Sequence, residues 1–301
     1  MINRNYTPDT FFDAALPVLE EIIYSTMESY PDIIPMIANV RQGTGWGTQT
    51  TEQTGVGAVV QIAEGAPVTY DDIAQGNQKT FTFAKFGLGV QITEEMIADQ
   101  KFDQVGDIYR SMGVSMFNTR QTLFMNNFNN GFSTNGYDGV PLFSVSHPLI
   151  KAGGLENNKP SVDADLAVAS LRTALTDIAG TLSHEGFKIY LRPKTLLVST
   201  SNIYDAHELL KSDFKPGTAN NDVNAFTIFG LSYMTSEYLT DADAWFVLCD
   251  KNDHRLMWYD REAPTTKSFE DFDTGSLKTK ITSRWDTGHA SWYGLYGSQG
   301  A

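Results

Sequence analysis

A helical run of unusual length constrains this chain more than any other feature. Thr93 can cap a helix beginning at Glu94 and Glu95, two acids favoured by the positive end of a helix dipole. The apolar face then passes through Phe102, Val105, Tyr109, Met112 and Met116 in steps of three and four, and after a gap reaches Leu123. Continuous to Asn129, such a helix would span about 50 Å at about 1.5 Å per residue. The stretch from Gln100 to Asp103 is where it would be interrupted, and Gly131 is a natural stop. Gly106 and Gly113 stand one heptad apart, and each costs about 1 kcal/mol against alanine in a helix interior. The close approach of another backbone would justify them, so both are expected at a tight crossing.

The segments before this helix cannot build a core of their own. Phe12, Leu16, Leu19, Ile22 and Ile23 recur at helical spacing, and Pro31 and Pro35 end the pattern. Residues 1–42 thus read as an arm carrying one helix, whose stripe must be buried on something else. After the glycine-rich Gly43–Gly47, two strand-like runs follow, Val56–Ile62 and Lys79–Gln91, the second alternating around Phe81, Phe83 and Phe86. Between them lies an acidic, turn-rich tip with Glu64, Asp71 and Asp72. An isolated ribbon is marginal in water, so it packs either on its own domain or on another subunit.

Beyond the loop-rich residues 132–162, the pattern becomes α/β. Leu166, Leu171, Leu175, Ile178 and Leu182 mark a helix, and Thr195–Ser199 a short buried strand. Ser201 can cap a helix over Asn202–Leu210, and Lys211–Val223 is loop. Strand-like runs return at Phe226–Tyr233, Ala244–Cys249 and Leu256–Tyr259. From Pro264 to Tyr296 the alternating, aromatic sequence fits long strands. The fold class is α+β.

Several functions are disfavoured by composition and motif. The net charge is −14, with no Lys/Arg run, so tight nucleic-acid binding lacks an electrostatic basis. No stretch approaches the about 20 apolar residues of a membrane helix, and no signal peptide opens the chain, so a soluble protein made in a reducing cytoplasm is expected. The lone Cys249 lies in an apolar run and reads as a buried, inert thiol. No two of the five histidines have metal-ligand spacing, and no phosphate-loop, dinucleotide or nucleophile-elbow motif is present. Ser146-His147 lacks a placed third partner, so a turn outweighs a nucleophile. Asp241 with Asp243, and Asp250 with Asp253, read as solvated turns rather than a cation site. The aromatic tail, Trp285, Trp292, Tyr293 and Tyr296, reads as core or interface. No catalytic residue, metal or cofactor is expected.

Three blocks carry a resemblance. The run Asn135-Gly136-Tyr137-Asp138-Gly139-Val140-Pro141-Leu142-Phe143-Ser144, through Ser146-His147-Pro148, resembles a segment that follows the long helix in Mu-like prophage major head proteins. Leu191-Arg192-Pro193-Lys194-Thr195-Leu196-Leu197-Val198 is similar to the strand entering that family's axial domain. The ending Trp285-Asp286 to Trp292-Tyr293-Gly294 resembles its C-terminal strand.

The resemblance implies the Hong Kong 97-type capsid fold: an N-terminal arm (1–42), an extended two-stranded loop (43–92), a peripheral domain with a long spine helix (93–162), an axial α/β domain (163–260) and return strands of the peripheral domain (261–301). It implies a major capsid protein that self-assembles, as hexamers and pentamers, into the icosahedral shell around the double-stranded DNA of a tailed bacteriophage or prophage. The expected location is the virion, after assembly in the bacterial host cytoplasm. The arm starts at residue 1, so either a scaffolding segment was removed by a protease or a separate scaffolding protein exists; Met1 favours an untrimmed end, and a separate scaffolding protein, a portal and a decoration protein are the expected partners. Some relatives crosslink Lys to Asn, but no motif transfers that chemistry to Lys79 or Lys85. An encapsulin-like compartment shares the fold. A cytosolic hydrolase using Ser146 and His147, and a tail or baseplate protein, are the readings from other classes.

Contacts between subunits are expected from the arm (Phe12, Leu16, Leu19), from the loop tip (Glu64, Asp71, Asp72) with ribbon residues Phe81 and Phe83, from Gly106 and Gly113, and from a basic surface at Lys278, Lys280 and Arg284. The acidic tip of one copy is expected to meet that basic surface on its neighbour.

Overall fold

The computed structural model describes residues 8–99, 101–214, 223–271 and 273–301, and the side chains of all of these except 8–15, 97 and 98. The chain opens with α1 (Pro8–Ser29), α2 (Ile34–Ile37), β1 (Asn39–Gln42), β2 (Gly47–Gln53), β3 (Gln75–Thr82) and β4 (Ala84–Ile92). Helices α3 (Glu94–Ala98) and α4 (Phe102–Asn129) follow, then the short strands β5 (His147–Pro148) and β6 (Leu155–Glu156). Next come α5 (Val168–Gly180), β7 (Pro193–Ser199), α6 (Ile203–Lys211), a 3-10 turn at Ala225–Phe229 and β8 (Ser232–Ser236). The chain closes with β9 (Trp245–Cys249), β10 (Leu256–Asp271), β11 (Ser276–His289) and β12 (Leu295–Ser298).

Two four-stranded sheets organise these elements, in the orders β1-β10-β11-β4 and β12-β9-β7-β8. The spine helix α4 lies on the first. Val105, Tyr109, Met112 and Met116 are buried as read from sequence, but Phe102 is exposed, Leu123 is half-buried, and the face continues instead through Phe124 and Phe128. Strand β11 alternates in turn: Leu277, Thr279, Ile281, Ser283 and Trp285 face inward, while Lys278 and Lys280 stay in water. Trp258 and Trp285 stack at 5.9 Å between centroids, with the Arg120 guanidinium 5.0 and 5.5 Å from the two rings. That cation is held by aromatic faces as well as by Asp260, 3.5 Å away. The second sheet packs with α5 and α6 around Leu171, Leu196, Val198, Leu209 and Val247.

Several sequence expectations change. Helix α3 ends at Ala98 and α4 begins at Phe102, a break that only partly overlaps the expected Gln100–Asp103, since Phe102 and Asp103 are already helical; α4 alone spans about 42 Å. Lys79–Gln91 is two strands: β3 pairs with β2, and after Phe83 β4 crosses to pair with β11. The odd spacing from Phe83 to Phe86 marks that crossover. Val56–Ile62 forms no strand; the ribbon partner is the polar Gly47–Gln53. Phe226 begins in a 3-10 turn, and β8 starts only at Ser232. The cap of α6 is Asn202 and not Ser201, with no side-chain hydrogen bond. Most of the Lys211–Val223 loop lies outside the described residues. Strand β10 enters the first sheet from Leu256, and β12 pairs with β9 in the second sheet.

Candidate assembly surfaces

The ribbon has two unlike halves. At its base, Phe81 and Phe83 are buried against Tyr259, at 4.9 and 6.1 Å between ring centroids. Their apolar area is used inside the subunit and is not available to a neighbour, which corrects the expectation placed on them. Of the two alternatives open to the ribbon, its base takes its own domain. Beyond Thr54, which exchanges hydrogen bonds with Ala74 at 3.1 and 2.9 Å, the tip has no strand pairing. Its apolar side chains face water: Val56, Val60, Val68 and Ile73 are exposed, Tyr70 is 95% exposed, and Val59 fully so.

The acids of the tip are placed differently from one another. Glu64 and Asp72 are exposed. Asp71 receives the Gly57 N–H at 2.5 Å and the Lys151 ammonium at 2.9 Å on each oxygen. The hydrogen bond from Lys151 is the largest cause holding its carboxyl below the usual range. Lys151 also lies 3.3 Å from Glu185. Within one chain the tip is thus seated on the loops around Lys151 and Glu185, not on the basic hairpin.

Beneath that seat lies a buried polar junction. His184 Nε2 is 3.1 Å from Glu52 Oε1, and the Tyr137 hydroxyl donates to the same oxygen at 3.3 Å. Burial, with Glu52 and then Asp138 nearby, pushes the Tyr137 phenol up. Glu52 Oε2, His184 Nε2, Glu185 Oε1 and the Tyr293 hydroxyl all lack a hydrogen-bond partner here. The His184–Glu52 pair is close but too poorly aligned for a hydrogen bond. Nothing in the sequence marked Glu52 or His184, because they meet only through the ribbon's seating.

The segment that carried the resemblance folds into a second knot. His147 Nδ1 lies 2.6 Å from Asp138 Oδ2, and Nε2 lies 3.1 Å from Asn158 Oδ1 and 3.2 Å from the Leu142 carbonyl. The imidazole stacks on Trp292 at 4.6 Å. Asn158 completes the knot by donating to the Leu142 carbonyl at 2.7 Å and accepting the Ser144 N–H at 2.8 Å. Ser146 Oγ meets Ser144 Oγ at 3.2 Å, and neither histidine nitrogen faces it. A serine nucleophile therefore has no base. Cys249 is buried, its thiol pushed up to about 12 by desolvation first and then by Asp253 and Asp250. No group of three metal-binding side chains occurs among the described residues.

The arm also packs at home. Leu19 and Ile23 are buried in one core cluster with Tyr109, Met112 and Met116, and Leu16 packs against it half-buried. Leu19 therefore fills its own subunit's core, a second correction; the side chain of Phe12 lies outside the described residues. Gly113 is the reason α1 fits. A Cβ there would stand 2.7 Å from the Ile23 carbonyl oxygen and 3.2 Å from Thr26 Cβ. At Gly106 a Cβ would meet only the Arg110 guanidinium at 4.0 Å, so the expected tight crossing exists at one glycine and not at the other. Of the basic candidates, Lys278 pairs with Asp271, and Arg284 lies 3.5 Å from Glu262. Lys280 is exposed, with no ion pair among the described residues.

A spine helix on one sheet, an α/β layer around a second, and a ribbon with an apolar tip make a Hong Kong 97-type capsid subunit. Solved structures share this fold. A chain of Microbacterium phage Oxtober96 is 13% identical with a TM-score of 0.54, covering 90% of this chain and 93% of that one. The capsid of bacteriophage JBD30 decorated with minor capsid protein trimers is 14% identical with a TM-score of 0.55, covering 70% and 92%. A virus-like particle from Pyrococcus furiosus is 10% identical with a TM-score of 0.52, covering 94% and 98%. No curated protein matches the chain. The family model of phage capsid proteins matches residues 76–298, and the chain belongs to that family. It is a major capsid protein, a structural subunit of the shell.

Proposed function

We propose that the chain is the major head protein of a Mu-like tailed phage or prophage, and that its copies lock together chiefly through the ribbon tip. The exposed apolar side chains between Val56 and Ile73 carry this reading. A monomer in water rarely leaves so many apolar groups together uncovered. Burial returns about 25 cal/mol per Å² of apolar surface, so covering the tip on a neighbour supplies assembly energy that the subunit does not use itself.

Charge adds direction. The tip has no Lys or Arg between Ala63 and Asn77, whereas Lys278, Lys280 and Arg284 lie along β11. An acidic end facing a basic end on the next copy is a head-to-tail contact, which closes rings. Hexamers and pentamers of an icosahedral shell around double-stranded DNA follow from that reading. Assembly in the host cytoplasm, with a separate scaffolding protein and a portal, belongs to the same proposal. Decoration is supported by the trimers on the JBD30 capsid.

Negative-stain microscopy of the expressed chain tests this. Wild-type protein is expected to form shells. Val59→Asp with Tyr70→Asp is expected to give a folded subunit that does not close them. Normal shells from that variant would refute the role of the tip. Shells that copurify with an enzyme and no DNA in the host would favour a compartment over a head.

A further inference from the structure

A polar cleft of about 380 Å³ opens between β1, the turn joining β9 to β10, and the start of β10. Arg41, Lys251 and Arg255 line it, with Asn39, Asn252 and His254. None of the three cations forms an ion pair among the described residues. That is unexpected in a chain with 36 acids and 22 bases. The acids of the same turn are engaged elsewhere: Asp250 pairs with Lys194 at 2.9 Å and Asp253 with Arg192 at 3.5 Å. Both carboxylates are thus paired with cations that do not line the cleft, although Asp250 also accepts from Asn252 at 3.2 and 3.0 Å, and the three cations of the cleft keep no ion pair among the described residues.

The frame is fixed. Asn39 Nδ2 donates to the Lys251 carbonyl at 2.9 Å and to the His254 carbonyl at 3.1 Å, tying the turn to β1. The Lys251 ammonium is anchored on the Pro35 carbonyl. Arg41 and Arg255 are exposed at the rim. His254 is buried, and desolvation holds it neutral, its pKa lowered to about 4. The cleft's charge therefore comes from the two guanidinium groups and the ammonium.

We propose that this cleft binds a phosphate group, either free or carried by a nucleic-acid backbone. Three cations exceed what one carboxylate would neutralise, and guanidinium forks match the oxygens of phosphate. The cleft's size suits one such group and not the width of a duplex. This goes beyond the capsid reading and does not depend on it.

Calorimetric titration of the full chain with inorganic phosphate, at constant ionic strength, tests the proposal. One saturable site per chain is expected. Arg41→Gln with Arg255→Gln is expected to weaken it at least about tenfold, since about 1.4 kcal/mol of lost hydrogen bonding does so. Lys188→Gln, at an exposed lysine that does not line the cleft, should leave it unchanged. Arg41→Lys with Arg255→Lys keeps the charge without the forks and should weaken it less, which covers the case of a misfolded glutamine variant. A short duplex oligonucleotide that displaces phosphate identifies the backbone as the source, and one that does not identifies free phosphate. The proposal is overturned by no saturable binding to wild type, by equal loss in Lys188→Gln, or by binding of a peptide of residues 60–74 where phosphate does not bind.

Discussion

Two buried histidine–carboxylate pairs use the same chemistry to opposite effect. At His147 both ring nitrogens and the Asp138 carboxylate have partners, and the ring stacks on Trp292. At His184 the pair with Glu52 is misaligned, and this junction holds four of the eight buried side-chain atoms without partners among the described residues. A satisfied network specifies one arrangement of its segments, while a partly satisfied one pays desolvation for little return. The first site fastens the loop after the spine helix into the core. The second seats the ribbon on the loops around Lys151 and Glu185.

The largest expected effect sharpens that contrast. His147→Ala should cost about 3–5 kcal/mol, because it leaves the buried Asp138 carboxylate with only the long Val140 N–H contact at 3.4 Å. Replacing both members at the junction, Glu52→Met with His184→Phe, should be near neutral or stabilising in a denaturant titration. If the same double replacement at Asp138 and His147 is equally harmless, the two sites are not different in kind.

Acid supplies the next test. His254 is held neutral in the folded state at a pKa of about 4, against about 6.5 unfolded. As pH falls through that window the unfolded chain gains a proton that the folded chain refuses, so stability drops by about 3 kcal/mol. His254 Nδ1 accepts the Leu256 N–H at 3.3 Å, and His254→Asn can keep that acceptor. Melting curves of His254→Asn should lose this part of the acid sensitivity; an unchanged profile would assign the loss to other groups.

A smaller difference separates the two glycines. Gly113→Ala should destabilise by about 1–3 kcal/mol through overpacking against the Ile23 carbonyl. Gly106→Ala meets only the Arg110 guanidinium at 4.0 Å and should stabilise by up to about 1 kcal/mol through helix propensity. Equal melting shifts would remove the crossing as the reason for Gly113. The smallest effect belongs to the tip charges. Asp71→Lys with Asp72→Lys should slow assembly measured by light scattering, more at low salt than at high. Because Asp71 is paired with Lys151, the swap should also raise hydrogen exchange in the ribbon, and rates insensitive to salt would exclude a charged contact.

Local pattern was enough to locate α1, the spine helix, α5, β7, β9 and the long final strands, because each carries its own periodicity of burial. It also marked the exposed acids of the tip and the break near Gln100. It misplaced the first ribbon strand, since Gly47–Gln53 is polar and owes its pairing to β3 rather than to a buried face. It also misjudged Leu19, Phe81 and Phe83: periodicity says that a side chain must be buried, not which surface buries it. Only the tertiary structure decided that α1 crosses α4 at Gly113, that Glu52 meets His184 across the ribbon seat, and that Arg41 joins Lys251 and Arg255 at one cleft. Those contacts link residues scores to hundreds of positions apart, and no local spacing encodes them.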